Sequence, residues 1–279
     1  MIETPLISII TPVYNGADYL PELIKSVLAQ NYPHYEHIII DDGSSDGGAT
    51  IKVLSCYSHL RWWSRKNMGQ YASQNEGINA AKGDIVVIIA ADDVFNTPEA
   101  FQHIVNYWRE HPNCDFVYGK TLRMQEKSVM LPNIEITSPP SLWLLKQVVY
   151  VQHRSLFIST IFLREHNLFF NAHLKYTGDW DWLIRIFSTT KNIGYLKKPL
   201  AIIRMHPAQT SRTAKVSAIA TEHRRIAEVY GGNYTLHNFL QKCINYRAMA
   251  LIAFDILRQR GFEAFYQRIK QWIIMRRAR

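Results

Sequence analysis

The sequence predicts an α/β protein: a doubly wound, mostly parallel, Rossmann-like sheet followed by a helical C-terminal extension. Three observations predict it. Strand-like β-branched runs alternate with helical apolar stripes across roughly the first 95 residues, which is the grammar of stacked βαβ units. Ile85 to Ala90 is apolar without alternation, as a strand covered on both faces must be. Polar clusters follow the strands, and an open parallel sheet gathers such turns along one edge as its ligand crevice.

The elements follow in order. Ile7 to Thr11 is a short β-branched strand, closed by Pro12 and the Asn15-Gly16 turn. Tyr19, Leu20, Leu23, Ile24, Val27 and Leu28 recur at helical spacing, with Asp18 placed to cap and Pro21 in the first turn. His37 to Asp41 is the second strand. The polar turn Asp41 to Asp46 feeds a helix over about 46–57. Arg61 to Ser64 is a third strand and Gln70 to Ala81 a third helix, ahead of the buried strand that ends in Asp92-Asp93. Beyond it the alternation loosens. Residues 98–111 read as a helix, 116–118 as a strand and 121–132 as a hairpin or excursion. Residues 142–150 read as a short helix, 179–189 as a helix and 193–196 as a strand. From about Thr213 the pattern is helical only.

The chain has 279 residues and a net charge of +9, with pI near 9.4. The segment Arg247 to Arg279 holds eight basic residues against two acidic ones, so it alone carries +6 of the +9. There Phe262, Phe265, Tyr266, Ile269, Trp272 and Ile273 form one apolar stripe flanked by Arg and Lys. That is the pattern of a helix packed on its own domain or lying on an anionic membrane surface. No nucleic-acid-binding motif accompanies the charge, so nucleic acid is not an expected partner. The three cysteines are single and widely spaced, which fits a reducing compartment. Residues 1–12 lack the features of a signal peptide, and no apolar run reaches the ~18 residues of a membrane span. The expected location is cytoplasmic, with any membrane contact peripheral.

Several chemistries lack their signature. There is no Gly-x-Gly-x-x-Gly after the first strand, no P-loop, no His-Glu-x-x-His and no Gly-x-Ser-x-Gly. If phosphates are bound, a metal must neutralise them, and the adjacent carboxylates Asp92 and Asp93 are the acidic pair best placed for a hard divalent cation.

Five motifs in order complete the reading. They are Pro5 to Asn15, Ile40 to Asp46, Asn67-x-Gly-Gln70 with Asn75-x-Gly77, Ala91-Asp92-Asp93, and Gly178-Asp179-Trp180-Asp181. Together they resemble the successive motifs of the family 2 glycosyltransferases, inverting enzymes with the A-type nucleotide-diphospho-sugar fold. The resemblance covers about residues 5–210. It implies a nucleoside pocket lined by Thr11, Pro12 and Tyr14, with the tyrosine ring on the base and Asp41 or Asp42 accepting from the uracil imide. It implies that Asn67, Gln70 and Asn75 border the nucleotide and sugar, although Gln70 and Asn75 also suit helix capping. Asp92 would contact ribose or metal, Asp93 the metal, and the ion would be Mg²⁺ or Mn²⁺. Asp179 matches the general base, with Asp181 its competitor. Trp180 or Trp182 would stack on a sugar or fill the core. Arg204-x-His206 with Gln209 and Ser211 resembles a loop that closes over the diphosphate, where His206 would bind metal or phosphate.

Two positions depart from the family pattern. Ala90 stands where an acidic or amide residue is usual, and Gly178 where Glu usually precedes the base. The implied organisation is a catalytic domain over 1–212, with a nucleotide half to about 95 and an acceptor half after it, and a basic helical extension over 213–279. The implied activity is transfer of a hexose or N-acetylhexosamine from a UDP donor to a saccharide or lipid-linked acceptor in surface polysaccharide or lipopolysaccharide synthesis. The alternatives are transfer to a polyprenyl phosphate and a catalytically silent nucleotide-sugar-binding scaffold.

Overall fold

The computed structural model describes residues 4–126, 130–131, 139–207, 209, 215–243 and 246. The predicted alternation forms as β1 (Ile7–Val13), α1 (Leu20–Leu28), β2 (Tyr35–Asp41), α2 (Ala49–Ser55), β3 (Leu60–Ser64), α3 (Gln70–Ala80) and β4 (Ile85–Ile88). These four strands are parallel, in spatial order β3-β2-β1-β4. The chain winds outward from β1 through β2 to β3, then returns to add β4 on the other side of β1. That reversal opens a crevice beyond the carboxyl ends of β1 and β4. The strand ends are level, Val13 lying opposite Asp41 and Asp41 opposite Ser64, so the turns after β1, β2 and β3 meet at one edge.

Each element has a local cause. In β4 all four side chains are buried, as an unalternating Ile-Val-Val-Ile run requires. Helix α1 buries Leu20, Leu23, Ile24 and Val27 and admits a proline in its first turn. Its N-cap is Tyr19, with no side-chain cap, so the expected capping by Asp18 does not form.

After β4 come β5 (Val94–Phe95), α4 (Ala100–Glu110), β6 (Phe116–Gln125) and α5 (Leu142–Gln147). A 3₁₀ turn (His153–Ser155) then leads to β7 (Leu156–Ser159), α6 (Thr160–Glu165), α7 (Gly178–Thr189), β8 (Ile193–Met205) and α8 (Val216–Val229). Among the described residues one eight-stranded sheet runs β3-β2-β1-β4-β7-β6-β8-β5, with β7 antiparallel to β4 and β6, and β5 antiparallel to β8.

Of the hairpin or excursion expected over 121–132, residues 121–125 continue β6, and an antiparallel bridge from Met124 to Met130, with Leu131 N donating to Arg123 O at 2.9 Å, gives the hairpin form of that reading among the described residues. One expectation is corrected: the strand predicted over 193–196 runs on to Met205, pairing with β6 in parallel. Lys197-Lys198-Pro199 hid the second half of β8, because proline demotes a run to an edge or a bulge. The register between β6 and β8 does shift, between Tyr118 and Thr121.

The main core cluster joins Phe116 and Tyr118 of β6 to Trp180, Trp182 and Phe187 of α7, and it includes Ile226 and Ala227 of α8. The first described helix past residue 212 is therefore bedded in the same core as α7. No helix among the described residues is long and apolar enough to cross a membrane. The amphipathic stripe expected over 262–273 lies outside them, as does Ser211.

Candidate active site

The turns at the sheet edge are tied side chain to backbone. Asn15 N donates to Ser44 Oγ at 2.8 Å, Ser45 N donates to Asn15 Oδ1 at 2.7 Å, and the Tyr14 hydroxyl lies 3.1 Å from Ser45 Oγ. The Tyr14 side chain stands at the rim with 51% of its surface open, as a ring that stacks on a ligand must.

The two carboxylates that follow β2 are used differently. Asp41 accepts from the hydroxyls of Ser44 and Ser64, each at 2.5 Å. Asp42 accepts from Met68 N at 2.8 Å and Gly69 N at 2.9 Å, and pairs with Arg65. Asp42 is thus spent on shaping the loop that enters α3, while the short bonds to Asp41 come from hydroxyls, whose protons can reorient, beside longer ones from Ser44 N at 3.3 and 3.4 Å.

Beyond β4, Asp92 and Asp93 part company. Asp93 has no exposed surface. It accepts from Arg204 N at 3.0 Å and is ion-paired with Arg154. Burial pushes its pKa up to about 7, with the Arg154 guanidinium pulling the other way. Asp92 is partly open, and its Oδ2 lies 2.9 Å from His206 Nε2 and 3.5 Å from Gln209 Nε2. Arg204 fixes this corner by donating to Asp92 O at 3.0 Å, Glu126 O at 2.8 Å and Glu22 Oε2 at 2.5 Å.

The donor set can be tested against a divalent ion. Among the described residues no group of three His, Cys, Asp or Glu gathers as a complete metal cage. Asp92 and His206 do supply an oxygen and an imidazole nitrogen side by side, and the other ring nitrogen of His206 is buried without a partner. That pair suits an ion whose remaining ligands are water and substrate phosphate.

Asp179 lies in the first turn of α7. Its Oδ1 accepts from Trp180 N at 2.9 Å, and its Oδ2 is 3.7 Å from His153 Nδ1, beyond hydrogen-bond reach. Its side chain is 30% exposed, yet burial of the carboxyl raises its pKa while Arg154 opposes the rise. Asp181 faces elsewhere. It accepts from Arg185 Nε at 3.0 Å and Nη2 at 2.8 Å, and from the Tyr230 hydroxyl at 2.6 Å.

A model of the family described as Glycosyl transferase family 2 matches residues 8–174. The chain is a family 2 glycosyltransferase. An uncharacterised glycosyltransferase of Rickettsia prowazekii is 33% identical over 225 residues, covering 76% of this chain and 68% of that protein. TuaG of Bacillus subtilis, named for teichuronic acid biosynthesis, is 37% identical over 94 residues, 32% of this chain and 36% of its own. In fold, the glycosyltransferase is similar to Staphylococcus aureus TarS in complex with UDP-GlcNAc. The TM-score is 0.66 at 18% identity, over 92% of this chain and 76% of that one. It is also similar to the mannosyltransferase PcManGT of Pyrobaculum calidifontis in complex with GDP-Man and Mn²⁺. There the TM-score is 0.59 at 17% identity, over 97% and 80%. The family thus includes a relative in polysaccharide biosynthesis, and a solved neighbour of this fold carries a divalent ion.

The glycosyltransferase brings Tyr14, Asp41, Asp92, His206 and Asp179 to the carboxyl side of the sheet, but other expected residues are engaged elsewhere. Thr11 is fully buried with its hydroxyl 3.1 Å from His37 Nε2, so its side chain does not line a pocket. Pro12 is half-buried in β1. Asn75 pairs reciprocally with the backbone of Phe170, at 2.9 and 2.7 Å, and so pins α3 to the segment before α7. Asn67 and Gln70 are exposed, Gln70 reaching Lys175 O at 3.4 Å. Asp93, expected as a metal ligand, has its carboxylate closed off by Arg154 and Arg204. Both Trp180 and Trp182 are core, their indole N–H groups donating to Leu145 O and Leu168 O at 2.7 Å.

Sequence reading missed His153, Arg154 and Tyr71. The first two sit on a 3₁₀ turn with no helical or strand period, and Tyr71 reads as an ordinary helix residue. The Tyr71 ring accounts for Gly178. A Cβ there would meet ring carbons at 2.7 and 2.8 Å, and Gly178 N donates to the Tyr71 hydroxyl at 2.9 Å.

Proposed function

We propose that this glycosyltransferase moves a sugar from a nucleoside diphosphate donor, in the first instance a UDP-hexose or UDP-N-acetylhexosamine, onto a hydroxyl of a saccharide or lipid-linked acceptor with inversion. The observation that carries the reading is the Asp179 carboxyl. It sits at the head of a buried helix, partly open, with its pKa raised by burial, on the same side of the sheet as Asp92 and His206.

Asp41 would accept the base N–H and Tyr14 would cover the base, because Asp42 has no such freedom. Asp92 and His206 would hold a Mg²⁺ or Mn²⁺ ion, which when bound neutralises the diphosphate as it departs. Asp179 would take the acceptor's hydroxyl proton as the oxygen attacks the anomeric carbon. The new C–O bond forms as the bond to the diphosphate oxygen breaks, and the electron pair leaves with the diphosphate. One displacement inverts the anomeric centre and needs no enzyme nucleophile. A raised pKa makes Asp179 a stronger base than a solvated carboxylate. Arg154, beside both Asp93 and Asp179, holds the two acidic groups in one frame.

The apolar stripe over 262–273, with the basic residues that flank it, supports peripheral attachment to an anionic membrane, which would suit a lipid-linked acceptor. Co-sedimentation with anionic vesicles that persists in a chain lacking 247–279 would sink that part. The donor site is tested by calorimetric titration of UDP with and without Mn²⁺. The reading expects metal-dependent binding that is lost in Asp92→Ala, and absence of UDP binding under every metal condition would overturn the donor assignment.

A further inference from the structure

We infer that Glu222, on helix α8 beyond the motif-bearing part of the chain, is a positioning residue for Asp179, clasping the backbone that delivers α7 to the acceptor side of the site. The inference rests on the assignment of Asp179 as base.

The contacts are dense for one side chain. Glu222 Oε1 accepts from Lys175 N at 2.9 Å, and Oε2 accepts from Tyr176 N at 2.9 Å, Thr177 N at 3.0 Å and the Thr177 hydroxyl at 2.9 Å. Three successive amide N–H groups converging on one point form an anion-binding concavity, and here the anion is covalently attached to the protein. The need is visible in α7 itself. Its N-cap, Thr177, makes no side-chain cap, so the donors at the helix entrance find their acceptors off the helix, at Glu222 and at the Tyr71 hydroxyl that takes Gly178 N. Charge-assisted bonds to amides are about twice as strong as neutral ones. Burial works against the Glu222 carboxylate, yet the amides of 175–177 hold its pKa below the ordinary value, so it stays ionised at neutral pH.

The clasp ends two residues before Asp179. It fixes where the first turn begins and with it the direction of the Asp179 carboxyl, because a helix so held cannot rotate or fray at its first residues. The same negative charge also acts on the base through space. The groups that face Asp179 are Arg154 and His153 from the 3₁₀ turn, Tyr71 from α3 and Glu222 from α8; on its own helix, Asp181 is neutralised by Arg185. Of these, Glu222 pushes the Asp179 pKa up and Arg154 pulls it down. A helix that sequence motifs leave outside the catalytic unit therefore completes it, and the bedding of Ile226 and Ala227 in the α7 core keeps Glu222 in place.

The test uses the full chain with Glu222→Gln and Glu222→Asp beside Asp179→Asn. It reads UDP release against pH, KM for the donor, and amide hydrogen exchange at 175–177. Glutamine is isosteric but presents an NH₂ where a second acceptor is required. In Glu222→Gln, exchange at 175–177 should accelerate and kcat should fall about ten- to a hundredfold from misplacement of the base. Donor KM should stay within about twofold, and the acid limb of the kcat profile should move to lower pH as the neighbouring negative charge disappears. Glu222→Asp keeps the charge and shortens the reach, so kcat should fall while the acid limb stays where it is in wild type. Wild-type kcat and profile in Glu222→Gln, beside an inactive Asp179→Asn, would overturn the positioning role alone. Turnover by Asp179→Asn equal to wild type would overturn the base assignment and the positioning role together.

Discussion

Replacing Gly178 by alanine should damage this enzyme far more than one methyl group suggests. The added Cβ would lie 2.7, 2.8 and 3.0 Å from three carbons of the Tyr71 ring. The ring cannot swing aside, since Tyr71 is 4% exposed and stacks on Phe170 at 5.6 Å, which in turn stacks on Trp182 at 4.3 Å. Overpacking of this kind costs about 1–3 kcal/mol. Displacing Tyr71 also stretches the bond from Gly178 N to its hydroxyl, for about 1 kcal/mol more. The expected loss is thus about 2–4 kcal/mol, with a fall in kcat because the neighbouring residue is Asp179. The assay is urea unfolding in a double-mutant cycle with Tyr71→Ala. That substitution alone costs about 3–5 kcal/mol, but it removes the ring that the new methyl strikes. The double mutant should be less destabilised than the two single losses added, by at least about 1 kcal/mol. Additive losses would refute the claim that Tyr71 is what excludes a side chain at 178.

Two other outcomes follow from buried charge. Arg154→Met leaves the Asp93 carboxylate, which has no exposed surface, without its counter-ion and should cost about 3–5 kcal/mol. The double substitution with Asp93→Asn should recover part of this, and urea midpoints measure both. His37 is buried, and desolvation, helped by His59, lowers its pKa to about 3. Because the folded protein resists protonating it while the unfolded chain takes the proton near pH 6.5, its contribution is intact above that pH and is lost as pH falls from about 6.5 towards 3. At pH 5 the loss is about 2 kcal/mol. His37→Gln should flatten the fall in stability between pH 7.5 and pH 5 by about that amount, as urea midpoints at the two values would report.

The nucleotide half of the fold was legible because its physics is local. β1 through β4 follow from β-branched runs, and the level strand ends follow from parallel pairing. The second half was less so. β7 is four residues long and flanked by a 3₁₀ turn and a helix, too short for any period to show, and Pro199 disguised the length of β8. At the site, the sequence marked Asp179, Asp92 and His206, but it could not separate Asp41 from Asp42 or Asp92 from Asp93. Adjacent carboxylates look alike until the partners of each are known. For Asp42 those are Met68 N, Gly69 N and Arg65; for Asp93 they are Arg154 and Arg204 N. Asn75 and Thr11 suited polar contacts with a ligand equally well on paper, and tertiary packing gave both to the protein interior. Arg154, His153 and Glu222 act only through contacts 25 or more residues distant in sequence, which no spacing rule reaches.

We propose that Asp179 is the base of a sugar transfer whose donor is held independently at the Asp92–His206 side. Asp179→Asn keeps the shape of the side chain and removes its basicity. The measurement is donor turnover, read as nucleotide release with acceptor present, beside calorimetric binding of the same nucleotide. Turnover should fall by about 10²–10⁴ with binding unchanged. Turnover within a few-fold of wild type would mean that Asp179 is not the base.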